Sequence, residues 1–137
     1  MRRLVLGADG GGSKTAVRVA SVAGDGGLEA LGEGFGGPSN VRAVGRAHAE
    51  INLNVAVDAA LRDAGIVDET IDYAVLGLAG SSLPDVQAFI EEWAARRALA
   101  TNVDIVHDAD PVLAVGIPDG SGIALIVGTG SVAIGVD

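Results

Sequence analysis

The residues after the glycine-rich stretch GADGGGSKT, Gly7 to Thr15, constrain the fold more than the stretch itself. A Walker A loop or a dinucleotide loop opens a helix whose N-terminus faces the phosphate. Here the next residues are TAVRVASV, with Val17 and Val19 on one face and Arg18 on the other. That is strand alternation. The run Leu4-Val5-Leu6 before the loop suits a buried strand, so the loop is the tip of a hairpin. The spacing agrees. Ser13 stands between Gly12 and Lys14, where Walker A requires lysine directly after glycine.

GDGG, Gly24 to Gly27, is a second turn signal, and LEALGEG is a third strand. Three antiparallel strands therefore open the chain. GFGGPSN, Gly34 to Asn40, is expected as loop. GEGFGG, Gly32 to Gly37, matches G-x-G-x-x-G by letter. Pro38 follows at once and no βαβ unit surrounds it, so the match is chance. Val41 to Ala64 is expected as a helix. Glu50, Asn54, Asp58 and Arg62 form its polar stripe, Ile51, Val55 and Ala59 lie beside it, and Leu53, Val57 and Leu61 extend the apolar side. Gly65 is its stop. IDYAVLGLAG is a fourth strand running into a loop. Ser82 with Asp85 forms a capping-box start for a helix from about Leu83 to Ala98, in which Phe89 and Trp93 pack inward. VDIVHDAD is a fifth strand, followed by a short helix through Val115. GIALIVGTGSVAIGVD, Gly122 to Asp137, then repeats the opening plan of strand, small-residue loop and strand. The expected division is one domain over residues 1–117 and the start of a similar second domain over 118–137.

Composition narrows the function classes. The net charge is −9 and the nine basic residues are scattered, which opposes a nucleic-acid groove. No cysteine is present, so thiolate metal sites and cysteine-ligated clusters are excluded within this chain. The start MRRLVLGAD is too short in its apolar part for a signal sequence, and IALIV is too short to span a bilayer. A soluble cytoplasmic protein is expected. The chain holds 21 glycines, which weakens any single glycine motif.

Three antiparallel strands, then helix, strand, helix, strand, is the ribonuclease-H-like order. Duplicated with hairpin loops, it resembles the actin-like ATPases. Within that group the chain resembles the BadF/BadG/BcrA/BcrD ATPase family and, inside it, the N-acetylglucosamine and glucosamine kinases. Four motifs carry the resemblance in order: GADGGGSKT, GGPSN, HDA and IVGTGS. It implies an α/β, ribonuclease-H-like domain with a mixed five-stranded sheet and flanking helices, plus the first hairpin of a second such domain.

The resemblance implies ATP-dependent phosphorylation of an amino sugar, with ATP, Mg2+ and the sugar as small-molecule partners. It implies that Gly11, Gly12, Ser13, Lys14 and Thr15 face the ATP phosphates, and that Asp9 binds or orients Mg2+ through water. Glycines let backbone amides approach phosphate oxygens without a Cβ in the way. Lys14 is the sole lysine beside eight arginines. Gly128, Thr129 and Gly130 would meet the phosphates from the opposite side, or form an ordinary tight turn. Ser131 would reach the sugar; Val132 follows it, where the family often has asparagine. Asp108, at the end of VDIV, is the expected general base, with Asp110 as its competitor and a helix cap as the plainer role. Ser39 and Asn40 follow GGP and suit either a sugar or a helix cap. The GLAG loop, Gly77 to Gly80, would line the cleft or simply turn the chain. His48 and His107 are too far apart to suggest a metal site, and Glu91-Glu92 suits a solvated face.

Two alternatives stand beside the kinase. One is the activator ATPase of the same broad family, which needs a cysteine-ligated cluster and is opposed by the missing cysteine and by GGPSN. The other is a non-catalytic nucleotide- or sugar-binding module. An apolar IALIV strand without the rest of its sheet also predicts self-association, with a homodimer as one form.

Overall fold

The structure is a computed structural model that describes residues 3–22, 28–106, 112–116, 122–128 and 131–136. Strands β1 (Arg3–Gly10) and β2 (Thr15–Val22) form the opening hairpin, with Gly10 opposite Thr15. Strand β3 (Leu28–Gly36) runs antiparallel to β2. Strand β4 (Tyr73–Leu78) lies parallel to β1, and β5 (Asn102–Val106) parallel to β4. The five form one mixed sheet, as expected from the sequence, in the order β3-β2-β1-β4-β5.

Alternation decides what each face does. Leu4, Leu6, Ala8, Val17, Val19, Ala74, Leu76 and Leu78 are buried in one core with residues of helices α1 (Val41–Ala64) and α2 (Pro84–Arg97). The opposite face carries a smaller cluster of Val5, Ala20 and Val22, with Tyr73 against it. The two helices lie side by side. Trp93 is buried and its indole N–H donates to Asn54 Oδ1 at 2.9 Å. The same oxygen accepts from Arg97 at 2.9 Å. Arg97 also pairs with Asp58, and Arg96 with Glu50. The Glu50 hydrogen bond, with its charge, raises the Arg96 pKa further, so this guanidinium is charged at any working pH.

The strand β3 corrects the expected loop. It continues through Phe35 to Gly36, and Gly32, Gly34 and Gly36 alternate onto the face beneath α1. A Cβ at Gly32 would stand 2.5 Å from the Ala64 amide nitrogen, and at Gly34 and Gly36 it would press on Ala60 N and Asn52 O. The letters GEGFG therefore record a period of two. They let a helix backbone lie directly on a strand.

Three further corrections concern α1, α2 and the region after β5. Helix α1 has the expected bounds, and Gly65 closes it at φ 71°, but Gly45 (φ 84°, ψ 163°) breaks it internally into two helices across a kink. Its inward face is Ala49, Leu53, Ala56, Val57 and Ala60, so Ile51 and Val55 are exposed. Small residues face β3 because the glycine strand brings the backbones close. The larger Ile51 and Val55 fall on the outer side. Helix α2 starts without the expected capping box: its N-cap is Leu83, with no side-chain cap bond. Asp85 instead takes both oxygens to Arg42, at 2.9 and 3.0 Å. The short helix expected through Val115 is strand β6 (Val112–Gly116), antiparallel to β7 (Gly122–Gly128). A four-residue apolar run has no periodicity to separate the two, and pairing with β7 decides it. Strand β8 (Ser131–Val136) completes a separate sheet in the order β6-β7-β8, in which β7 and β8 form the hairpin expected from the repeat.

Candidate functional site

Strands β1, β4 and β5 are parallel, so their C-terminal ends share one edge of the sheet. Asp9 lies in register with Gly77, and Gly77 with Val106. In open α/β sheets this edge is where ligands bind. Three connections meet there: the β1–β2 hairpin tip, the β3–α1 loop and the β4–α2 loop. Backbone bonds join them. Ala79 N donates to Gly10 O at 2.8 Å, and Ser39 N donates to Gly11 O at 3.2 Å. Ser81, almost fully buried, donates from Oγ to the Val106 carbonyl at 3.0 Å and so holds the end of β5. Asn52 Nδ2 donates to Pro38 O at 2.7 Å and anchors the β3–α1 loop to the helix.

The hairpin tip is bare. Gly12, Ser13 and Lys14 are exposed and Gly11 half-buried. Gly11 N donates to Lys14 O at 3.0 Å. The amides of Gly12, Ser13 and Lys14 have no acceptor among the described residues. A Cβ on Gly11 or Gly12 would meet nothing within 4 Å, whereas a Cβ on Gly10 would collide with Ser39 Oγ. The three consecutive glycines thus have two jobs. Gly10 is required by packing, while Gly11 and Gly12 front open space. Lys14 Nζ lies 5.8 Å from the centre of the Phe35 ring, a cation–π distance that rests the lysine beside the loop.

Asp9 is exposed at the end of β1, on the face opposite the helices. Among the described residues no group of three or more His, Asp or Glu could hold a metal ion. Thr15 and Ser39 are placed differently from the tip. Both are buried, and Thr15 Oγ1 lies 2.8 Å from the Gly37 carbonyl oxygen and 2.8 Å from Ser39 Oγ. Asn40 is the N-cap of α1, its Oδ1 accepting from Arg42 N at 3.1 Å, and is half-buried. Its Nδ2 donors have no partner among the described residues. His48, Glu91 and Glu92 are exposed. The candidate base Asp108 lies outside the described residues, as do His107, Asp110, Thr129 and Gly130. Gly128 and Ser131 are paired across the β7–β8 hairpin.

Sequence reasoning missed Gly10, Asn52 and Ser81. For Gly10 a signal existed: position 10 continues the inward series 4, 6, 8. For Ser81 and Asn52 none did, because each bonds a backbone carbonyl remote in sequence.

The model of the BadF/BadG/BcrA/BcrD ATPase family matches residues 6–137, from β1 through β8. The chain belongs to that family. It is 30% identical over 133 residues to the N-acetylmuramic acid/N-acetylglucosamine kinase of Clostridium acetobutylicum, covering 97% of this chain and 42% of that one. The chain therefore spans less than half the length of that curated relative. A Porphyromonas gingivalis protein described as a candidate N-acetylglucosamine kinase superimposes with a TM-score of 0.54 at 13% identity, over 94% of this chain and 46% of that chain. This family member accordingly has the actin-like ATPase fold, with the mixed five-stranded sheet of its ribonuclease-H-like unit. No helix among the described residues is long and apolar enough to cross a membrane.

Proposed function

We propose that this chain supplies the phosphate-gripping part of an ATP-dependent amino-sugar kinase. One observation carries the reading. Three successive amides, those of Gly12, Ser13 and Lys14, have no acceptor among the described residues and stand at the ligand-binding edge of the sheet. Oriented backbone amides with nothing to bond are what a phosphate chain requires. The open space in front of Gly11 and Gly12 fits the same group. Kinship with a sugar kinase adds the acceptor class.

In this reading Gly11 to Lys14 hold the ATP phosphates, with Gly128, Thr129 and Gly130 meeting them from the second hairpin. Asp9, a single exposed carboxylate, fits Mg2+, which keeps several waters and takes its other oxygens from phosphates. Bound there, Mg2+ would supply charge neutralisation at the phosphates. Asp108 follows Val106 by two residues, and Val106 is in register with Gly77 and thus with the row of Asp9. The Asp108 carboxylate takes the proton of the sugar hydroxyl, whose oxygen accepts the γ-phosphoryl group as ADP leaves. Asn40 Nδ2 offers donors to the sugar, and Ser131 a hydroxyl from the other side. Thr15 and Ser39 belong to the same site from beneath.

A coupled ADP-release assay across N-acetylglucosamine, N-acetylmuramic acid and glucosamine tests the reading. In a full-length protein that contains this chain we expect turnover with Mg2+-ATP that Asp108→Asn lowers by about 10²–10⁴-fold while ATP still binds, and little turnover from these 137 residues alone. Near-normal turnover in Asp108→Asn would remove Asp108 as the base.

A further inference from the structure

Thr15 and Ser39 form the one buried hydroxyl pair among the described residues of this edge, and its proton count has a consequence. Thr15 has a single hydroxyl proton and two oxygen neighbours at 2.8 Å. The Gly37 carbonyl can only accept, so the Thr15 proton goes there. Ser39 must then donate its own proton to Thr15 Oγ1. Both side chains are buried, Thr15 at 0% and Ser39 at 3% exposure. The Ser39 proton is thus already used inside the protein. At the same residue the main-chain N–H donates to Gly11 O. Beneath it, Gly10 has no room for a Cβ because Ser39 Oγ occupies that space. Side chain, main chain and packing all fasten Ser39 to the hairpin.

From this we infer that Thr15 and Ser39 are positioning residues: their hydroxyl pair locks the β3–α1 loop onto the β1–β2 hairpin, so that a ligand held at Gly12–Lys14 is felt at Asn40. The inference rests on the kinase reading for the identity of the ligands, but not for the lock itself. Asn40 is the residue after Ser39 and caps α1. Any displacement of the hairpin is passed through Ser39 to the cap, and fixing the hairpin fixes the position from which Asn40 Nδ2 points. The loop is held from its other side by Asn52 on Pro38 O, so it has few ways to yield except with the hairpin.

Amide hydrogen exchange on the whole chain tests this, with and without Mg2+-ATP, in the wild type, Thr15→Val and Thr15→Ser. Valine keeps the shape and removes the proton and the acceptor, whereas serine keeps both. In the free chain we expect Thr15→Val to speed exchange at the Ser39 amide by roughly tenfold or more, the scale of one lost buried hydrogen bond. Thr15→Ser should stay near the wild type, and the amides of Ala74–Leu76 in the central strand should not change in either. With Mg2+-ATP the wild type should slow exchange at Gly12–Lys14 and at Ser39 together, and Thr15→Val only at Gly12–Lys14. A merely structural role would not remove that transmitted protection. Unchanged Ser39 exchange in Thr15→Val would overturn the lock. Retained transmission in that variant would overturn the coupling. A wild type that binds no ATP yet shows the free-chain contrast would sink the kinase reading and leave the lock standing.

Discussion

Gly10, Gly11 and Gly12 are identical side by side in the sequence, and the structure separates them. Gly10 is fixed by the Ser39 hydroxyl and the Leu78 side chain, while its neighbours face open space. The expected consequence is a contrast. Gly10→Ala should destabilise the fold by about 1–3 kcal/mol through overpacking. Gly12→Ala should leave stability within about 0.5 kcal/mol, as surface substitutions usually do, and should lower affinity for Mg2+-ATP. Chemical denaturation and calorimetric titration on both variants check this. Equal effects on stability would mean that the loop is only a turn. Legibility at this scale follows chemistry that is local in sequence. The hairpin and its exposed tip can be read from GADGGGSKT because alternation on either side requires a turn. The inward role of Thr15 and Ser39 cannot, because it depends on two hydroxyls 24 positions apart meeting under a helix. Asn40 is readable only as two alternatives, and its cap bond to Arg42 establishes one without using its Nδ2 donors.

Strand and helix together explain the largest misreading. GFG reads as loop because glycine discourages strands, yet tertiary packing prefers it wherever a helix must lie on a strand. The stripe Gly32, Gly34, Gly36 and the small residues Ala56, Ala60 and Ala64 of α1 are one feature divided between two elements. Gly34→Ala should therefore cost about 1–3 kcal/mol, more than any other single methyl group in β3, and Ala59→Gly should not relieve it because Ala60 N and Ala56 O also stand in the way. Denaturant midpoints of the single and double variants measure this; a neutral Gly34→Ala would mean the helix can slide. Between the helices, one amide carries more than the ion pairs around it. Asn54 accepts from a buried indole and from Arg97, so Asn54→Ala leaves the Trp93 N–H unpaired and should cost about 1–3 kcal/mol. The exposed pair of Arg42 with Asp85 should contribute little by comparison. Trp93 fluorescence during unfolding reports both variants. The bounds of α1 are legible from its stripe and from Gly65. Leu53 and Val57 face inward as expected, whereas Ile51 and Val55 are exposed, because a sequence stripe marks the polar side but not which apolar flank meets the sheet.

At the level of the whole chain, the succession of strands and helices makes a mixed five-stranded sheet legible, and the structure adds its spatial order, β3-β2-β1-β4-β5. The second sheet was half legible: the repeat announced β7 and β8, and nothing announced β6. Its outer strands are VLAVG and SVAIGV, with no charged residue in either. Uncharged edge strands invite pairing with another copy. We expect this chain to self-associate through them, and Ala133→Lys in β8 to restore monomers by placing charge on an edge. Sedimentation of both proteins checks this, and a monodisperse wild-type monomer would contradict it. The division into residues 1–117 and 118–137 remains our proposal, and Val112–Gly116 pairs with the later strands.

The hairpin tip, as proposed above, grips phosphate through the amides of Gly12, Ser13 and Lys14, which have no acceptor among the described residues. An amide-resolved magnetic-resonance titration of the chain with Mg2+-ATP tests it most directly. Saturable shifts are expected at Gly12, Ser13 and Lys14, accompanied by Ser39 and absent from the central strand residues Ala74–Leu76. Saturable ATP binding that leaves those three amides unmoved would contradict it.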